Sequence, residues 1–196
     1  MDKLPVTVMI FARQAARFDL LKKRQELEER ATLAALEEEG KERREARKIV
    51  ARMRPREWPP IESYVAAAVD QRLCEPDLAG PWRPLTDDER AELALSGRWP
   101  GPGLGGLVQR NYSLPEELVI RLRTAAWRMS EDALRELRRR RLLGAAVLGL
   151  DETQRLQRAE LVARLYPVPR IVREALTYYG PTADPRPGDQ PDADEN

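Results

Sequence analysis

At 196 residues, with 42% apolar and 34% charged side chains, the chain is long enough to bury a core and too apolar to be disordered throughout, while 6% aromatics argues against a β-sandwich and for helix. It holds no histidine and a single cysteine, Cys74, which excludes an internal disulfide, the common zinc and iron sites, and Cys-His or Ser-His-Asp catalysis. The formal charge of +1 conceals a segregation: residues 12–56 and 107–180 are each net +5, residues 57–106 net −5 and residues 181–196 net −4.

The N-terminal stretch MDKLPVTVMIFARQ lacks the basic start and small-residue cleavage pattern of a secretion signal. No apolar run reaches the roughly 20 residues of a membrane helix, so a cytoplasmic protein without a membrane partner is expected. Pro5 to Phe11 is β-branched and apolar, fitting either a short strand or the opening of a helix. From Arg13 the texture is helical as far as Pro55, interrupted at Gly40, the expected weak point of a long basic helix or helix pair. Pro59 and Pro60 then precede Ile61, Tyr64, Val65, Ala68 and Val69, which share one face of a compact core helix. Residues 1–75 therefore form an N-terminal helical region.

Residues 76–106 form an acidic connector with one short helix, opened by the capping box of Thr86 and Glu89 and closed at Gly97. The glycine- and proline-rich run RWPGPGLGG marks the clearest boundary. Cys74 reads as a small buried hydrophobe, and Trp58, Trp82, Trp99 and Trp127 as core or linker anchors.

Residues 107–180 form a C-terminal helical region that opens with VQRNYSLPEELVIRL, for which two readings stand. In one, Ser113 and Glu116 make a capping box with Pro115 in the first turn, and the segment only starts a helix. In the other, residues 108–114 are a strand with Gln109, Asn111 and Ser113 on one face and Arg110, Tyr112 and Leu114 on the other. The helix that follows is expected to run to about Arg128, with a second beginning near Ser130 and leading into RRRR at 138–141. Those arginines spread around the helix and serve as phosphate contacts or pair with Glu131 and Glu136. GAAVLG interrupts the helical pattern, Asp151 and Gln154 cap a further helix that Pro167 ends, and VPRIVREALTYYG forms the last helix with Gly180 as its cap. Residues 181–196 are acidic, proline-rich and expected to be disordered. The fold class is mainly α, with at most one or two short strands.

The run QRNYSLPEELVIRLRTAA resembles the start of a ribbon-helix-helix repressor of the Arc type, and the likeness extends loosely over residues 108–143. That resemblance implies an antiparallel β-ribbon in the major groove of double-stranded DNA, a groove that admits a two-stranded ribbon. It places Gln109, Asn111 and Ser113 against bases, and packs Tyr112 and Leu114 on the helices with Leu118, Leu122 and Ala125. Arg110 stands where the family has an apolar residue, and no glycine turn separates the first helix from the second. Either SEDALRELRRRR or VPRIVREALTYYG takes the place of that second helix. IESYVAAAVDQRL shares the texture of PRIVREALTYYG and follows PVTVMIF, so the chain also fits two diverged halves, with helical insertions, whose strands pair within one molecule. In that arrangement the first strand exposes Thr7, Met9 and Phe11.

The function expected is sequence-specific DNA binding, as a transcriptional regulator or mobile-element accessory protein acting as a homodimer or intrachain pseudo-dimer. Gln109, Asn111 and Ser113 would contact bases, and Arg110, Arg138 and Arg139 phosphates. The alternative is a helical interaction or scaffold protein that binds no nucleic acid. No enzyme, catalytic residue, cofactor or metal is expected: the carboxylates are scattered, and GPGLGG lacks the lysine and strand-helix frame of a phosphate loop.

Overall fold

Apolar residues at every second position make Lys3–Phe11 a strand, β1, that buries Val6, Val8 and Ile10 on one face. The computed structural model, which describes residues 2–90, 106–143 and 149–180, pairs it antiparallel with β2, Leu107–Pro115, in the same chain. Val6 lies opposite Tyr112, Leu4 opposite Leu114 and Ile10 opposite Val108, so the inner faces of both strands meet one core. The ladder is continued at its ends by backbone bonds from Ala12 N to the Gly106 carbonyl and from Glu116 N to the Asp2 carbonyl. Of the two readings of residues 108–114, the strand is the one adopted. Ser113 lies in the ladder opposite Pro5, and the expected Ser113–Glu116 capping box does not form; Pro115 occupies the cap without a side-chain bond.

Each strand runs without a loop into a helix. Phe11 leads into α1, Ala12–Glu38, and Pro115 into the counterpart of α1 in the second half, described below. Glu39 caps α1 and Gly40 follows at φ 86, a left-handed conformation that costs glycine little and stops the helix where the sequence predicts a break. The chain then turns back as α2, Arg43–Glu57, and enters α3, Ile61–Leu73. A capping box of Thr86 and Glu89 forms as expected at the head of a helical segment starting at Asp87. The expected stop at Gly97, Trp99 and most of RWPGPGLGG lie outside the described residues, as do residues 144–148 and the acidic tail 181–196.

In the second half, α4 spans Glu116–Arg139, α5 Glu152–Ala163 and α6 Val168–Tyr178. The expected break near Ser130 is absent. Ser130 is wholly buried inside α4, and its Oγ accepts a 2.8 Å bond from Tyr166 N, so it tethers a loop instead of capping a helix. The Asp151–Gln154 capping box forms, but α5 ends at Ala163, and Pro167 caps α6 instead of ending α5. Cys74 is exposed, which overturns its assignment to the core: it lies about 100° around the helix from buried Leu73.

Apart from the helical segment at Asp87, the order strand, helix, helix, helix thus occurs twice among the described residues, and the halves exchange contacts. α3 of the first half packs beneath β2, α6 of the second beneath β1, and the two helices pack on each other. Val65, Ala68 and Val69 of α3 and Ile171, Val172 and Ala175 of α6 close the underside of the ribbon, with Leu118, Leu122 and Ala125 of α4. Gln14 joins the halves: its Oε1 accepts from Phe11 N, and its Nε2 donates to the Arg173 carbonyl at 2.9 Å and Thr177 Oγ1 at 3.0 Å. A second cluster around Trp127, Leu134, Leu137, Leu161 and Leu165 fills the space between α4 and α5. Among the described residues no helix is long and apolar enough to cross a membrane.

Candidate nucleic-acid interface

Strand pleating decides which side chains are available. With one face buried, the other projects Pro5, Thr7 and Met9 from β1, facing Ser113, Asn111 and Gln109 of β2 in register, and all six are exposed. Gln109, Asn111 and Ser113 therefore stand together on the outer face, while Tyr112 and Leu114 lie beneath, 6% and 0% exposed. Burial pushes the Tyr112 phenol up to about 12, so its hydroxyl is neutral and contributes no charge near the outer face. Phe18 of α1 meets the Tyr112 ring edge-on at 6.5 Å, fixing the ribbon against the helix that follows it.

Arg110 occupies the inward row opposite Val8, where an apolar residue would normally sit. Its long side chain escapes at the edge of the sheet and reaches Asp19 Oδ2 at 3.1 Å. Its charge is thus spent beside α1, off the outer face. Arg138 and Arg139 lie at the far end of α4, whose 24 residues extend about 36 Å at 1.5 Å per residue. Arg138 stacks over the Trp127 ring at 5.8 Å, and Arg139 forks onto both oxygens of Glu136 at 2.7 and 2.6 Å. With Arg140 it holds the Glu136 carboxyl down to about 2. The ribbon triad is brought together, whereas the arginines singled out with it are not.

Thr7, expected on the exposed row of the first strand, stands opposite Asn111 at the middle of the nine-residue ladder, a pairing that only the register reveals. Two residues near the ribbon carry no signal in a linear reading. Arg13, in the first turn of α1, lies over the Phe11 ring at 5.3 Å. Arg173, from α6, stacks on the same ring at 5.8 Å and donates Nη1 to the Met9 carbonyl at 2.9 Å. Burial, then the like charge of Arg170, lowers the Arg173 pKa from its ordinary value. Two cations accordingly border the Phe11 end of the ribbon.

Chemically, the outer face offers two amides, two hydroxyls and a thioether on a rigid backing, with flanking guanidinium groups. Amides can pair bidentately with adenine, hydroxyls can donate or accept, and arginines can bind phosphate. Among the described residues no group of three or more acidic or cysteine side chains is arranged to hold a metal ion. Comparison with family models, with curated proteins and with solved structures finds no match for this chain.

Proposed function

We propose that the protein is a sequence-specific DNA-binding protein of ribbon-helix-helix character, a pseudo-dimer whose single chain supplies both strands of the ribbon that enters the major groove. The observation that carries this reading is the outward row Gln109, Asn111 and Ser113, displayed on an antiparallel ribbon whose inner face is packed on helices of both halves. A packed underside keeps these side chains in one register, as base recognition needs, and a ribbon of this kind fits the major groove. Regulation of transcription, or service to a mobile element, is the role this chemistry supports. The test is selection from a random duplex library with the full chain. A short enriched motif is expected, and its enrichment disappears in Gln109→Ala/Asn111→Ala; no enrichment with the unaltered chain would refute the proposal.

A second reading, helix-mediated assembly without DNA, is favoured by Leu20 and Leu27, 65% and 64% exposed and seven residues apart on one face of α1. It predicts self-association that Leu20→Glu/Leu27→Glu abolishes, together with no retention on duplex DNA at low salt.

A further inference from the structure

The arginines of α4 are largely matched with acids: Arg121 with Asp70, Arg128 with Glu89 and Glu131, Arg135 with Glu131 and Asp132, Arg139 and Arg140 with Glu136. α2 is different. At 100° per residue, Arg43, Arg44, Arg47, Lys48 and Arg52 fall within one half of its circumference and the buried Ala46 and Val50 within the other, and every one of the five is exposed. The two carboxylates of this helix, Glu45 and Glu57, lie outside that half. Arg43 approaches Glu37 at 3.6 Å, while Arg44, Arg47, Lys48 and Arg52 have no acidic partner among the described residues. Arg43, Arg44, Arg47 and Lys48 also line a shallow open depression.

The helix that bears this face is held by α1. Trp58 Nε1 donates to Glu28 at 3.3 Å, Gln25 Nε2 to the Pro59 carbonyl at 3.1 Å, and Arg54 pairs with Glu29. Ala46 and Val50 are buried in the α1–α2 hairpin and belong to neither of the two larger apolar clusters. Antiparallel pairing sets the basic face beside the last third of α1, roughly 25 to 40 Å along that helix from the ribbon, on the order of one turn of duplex DNA.

We infer that the outer face of α2 is a second DNA-contacting surface that binds the phosphate backbone about one helical turn from the ribbon site. Four cations without an acidic partner among the described residues, flanked by Arg43, suit a polyanion, because each phosphate neutralised releases counterions. The choice of duplex over other polyanions rests on the DNA-binding reading of the ribbon. The face carries no base-reading amide, so it adds affinity equally to every sequence.

The experiment measures binding of the full chain to random-sequence duplexes of about 15 and about 40 bp across a salt series. The variants are Arg44→Gln/Arg47→Gln/Lys48→Gln/Arg52→Gln, the charge-keeping Arg44→Lys/Arg47→Lys/Arg52→Lys, and Asn111→Ala. The glutamine variant should flatten the slope of log K against log salt by about 2 to 4 and weaken the longer duplex at least about tenfold at 0.1 M salt. The lysine variant should keep the original slope, which separates lost charge from lost folding. Asn111→Ala should leave the slope alone and alter only preference among sequences, so the ribbon reading and the α2 surface fail separately. An unchanged slope in the glutamine variant, an effect on heparin without one on duplex, or no binding of the unaltered chain to the longer duplex at low salt would each overturn the inference.

Discussion

Asn111 and Thr7 face each other across the middle of the ribbon, with both side chains outward. They are chemically unequal. Asn111 can make a bidentate pair with adenine, whereas Thr7 offers one hydroxyl and a methyl group. The same inequality runs along the ribbon, where Gln109 opposes Met9 and Ser113 opposes Pro5. The two halves of the protein therefore present different faces, and under the proposed DNA-binding function the preferred site should be asymmetric instead of palindromic. Asn111→Ala should cost discrimination about 1 to 3 kcal/mol, while Thr7→Ala costs less. Both substitutions should leave unfolding free energy within about 0.5 kcal/mol, since both residues are exposed. Fluorescence anisotropy against the selected duplex and its single-base variants is the check; equal losses in the two variants, or a palindromic site, would count against the asymmetry.

Adjacent residues on β2 test the register. Leu114 is fully buried opposite Leu4, and Ser113 is exposed opposite Pro5. Leu114→Ala should destabilise by about 2 to 5 kcal/mol, through lost burial and the cavity left behind, and Ser113→Ala by no more than about 0.5 kcal/mol. Because a slip of one residue would exchange the two faces, urea denaturation showing the reverse order would mean a different strand pairing.

The underside of the fold has a polar clamp. Arg72 of α3, its side chain 8% exposed, donates two bonds of 2.7 Å to Asp77 and further bonds to Glu174 of α6 and the Tyr166 hydroxyl. Tyr166 in turn donates to Glu174, and burial, then that bond, raises its phenol to about 12. Arg72→Ala leaves Glu174 and Tyr166 without their shared donor and should destabilise by about 2 to 3 kcal/mol, below the range for a fully buried pair because Asp77 is half exposed. Arg72→Met/Glu174→Leu should recover part of that loss, since apolar replacement of a buried pair is often neutral. Thermal unfolding of the single and double variants checks both outcomes, and a double variant less stable than Arg72→Ala would contradict the second.

Much of this arrangement is legible in the sequence wherever the pattern is local and periodic. Polar residues at 109, 111 and 113, set against Tyr112 and Leu114, carry the period of two that the ribbon uses. Gly40 and the boxes at Thr86 and Asp151 likewise place helix ends because their chemistry acts within four residues. PVTVMIF is ambiguous in isolation, since an apolar run of seven fits either element until a partner strand supplies its ladder. The likeness of IESYVAAAVDQRL to PRIVREALTYYG proves to be spatial, as α3 and α6 pack together under the ribbon. What stays hidden depends on distance. Nothing within RRRR tells that it sits a helix length from the ribbon, and nothing next to Arg110 points to Asp19, 91 residues away in sequence. Ser130 looks like a cap because the backbone amide it serves, that of Tyr166, lies 36 residues further on.

Glu89 supplies a prediction with a defined pH window. Its carboxylate receives Arg128 Nη1 and Nη2 at 2.8 and 2.7 Å and the Thr86 backbone N–H at 2.8 Å, tying residues 86–90 to α4. Those bonds, Arg128 first, lower its pKa from 4.5 to about 2 in the folded protein. A depressed folded value means that the unfolded chain takes up this proton first as the pH falls. The stabilising contribution is therefore complete above about pH 4.5 and lost as pH falls toward about 2. Glu89→Gln, which cannot carry the charge, should lower the urea midpoint at neutral pH and cease to differ from the unaltered protein near pH 2. A gap between the two proteins that stayed constant across that interval would show that the charge of Glu89 does not hold this segment in place.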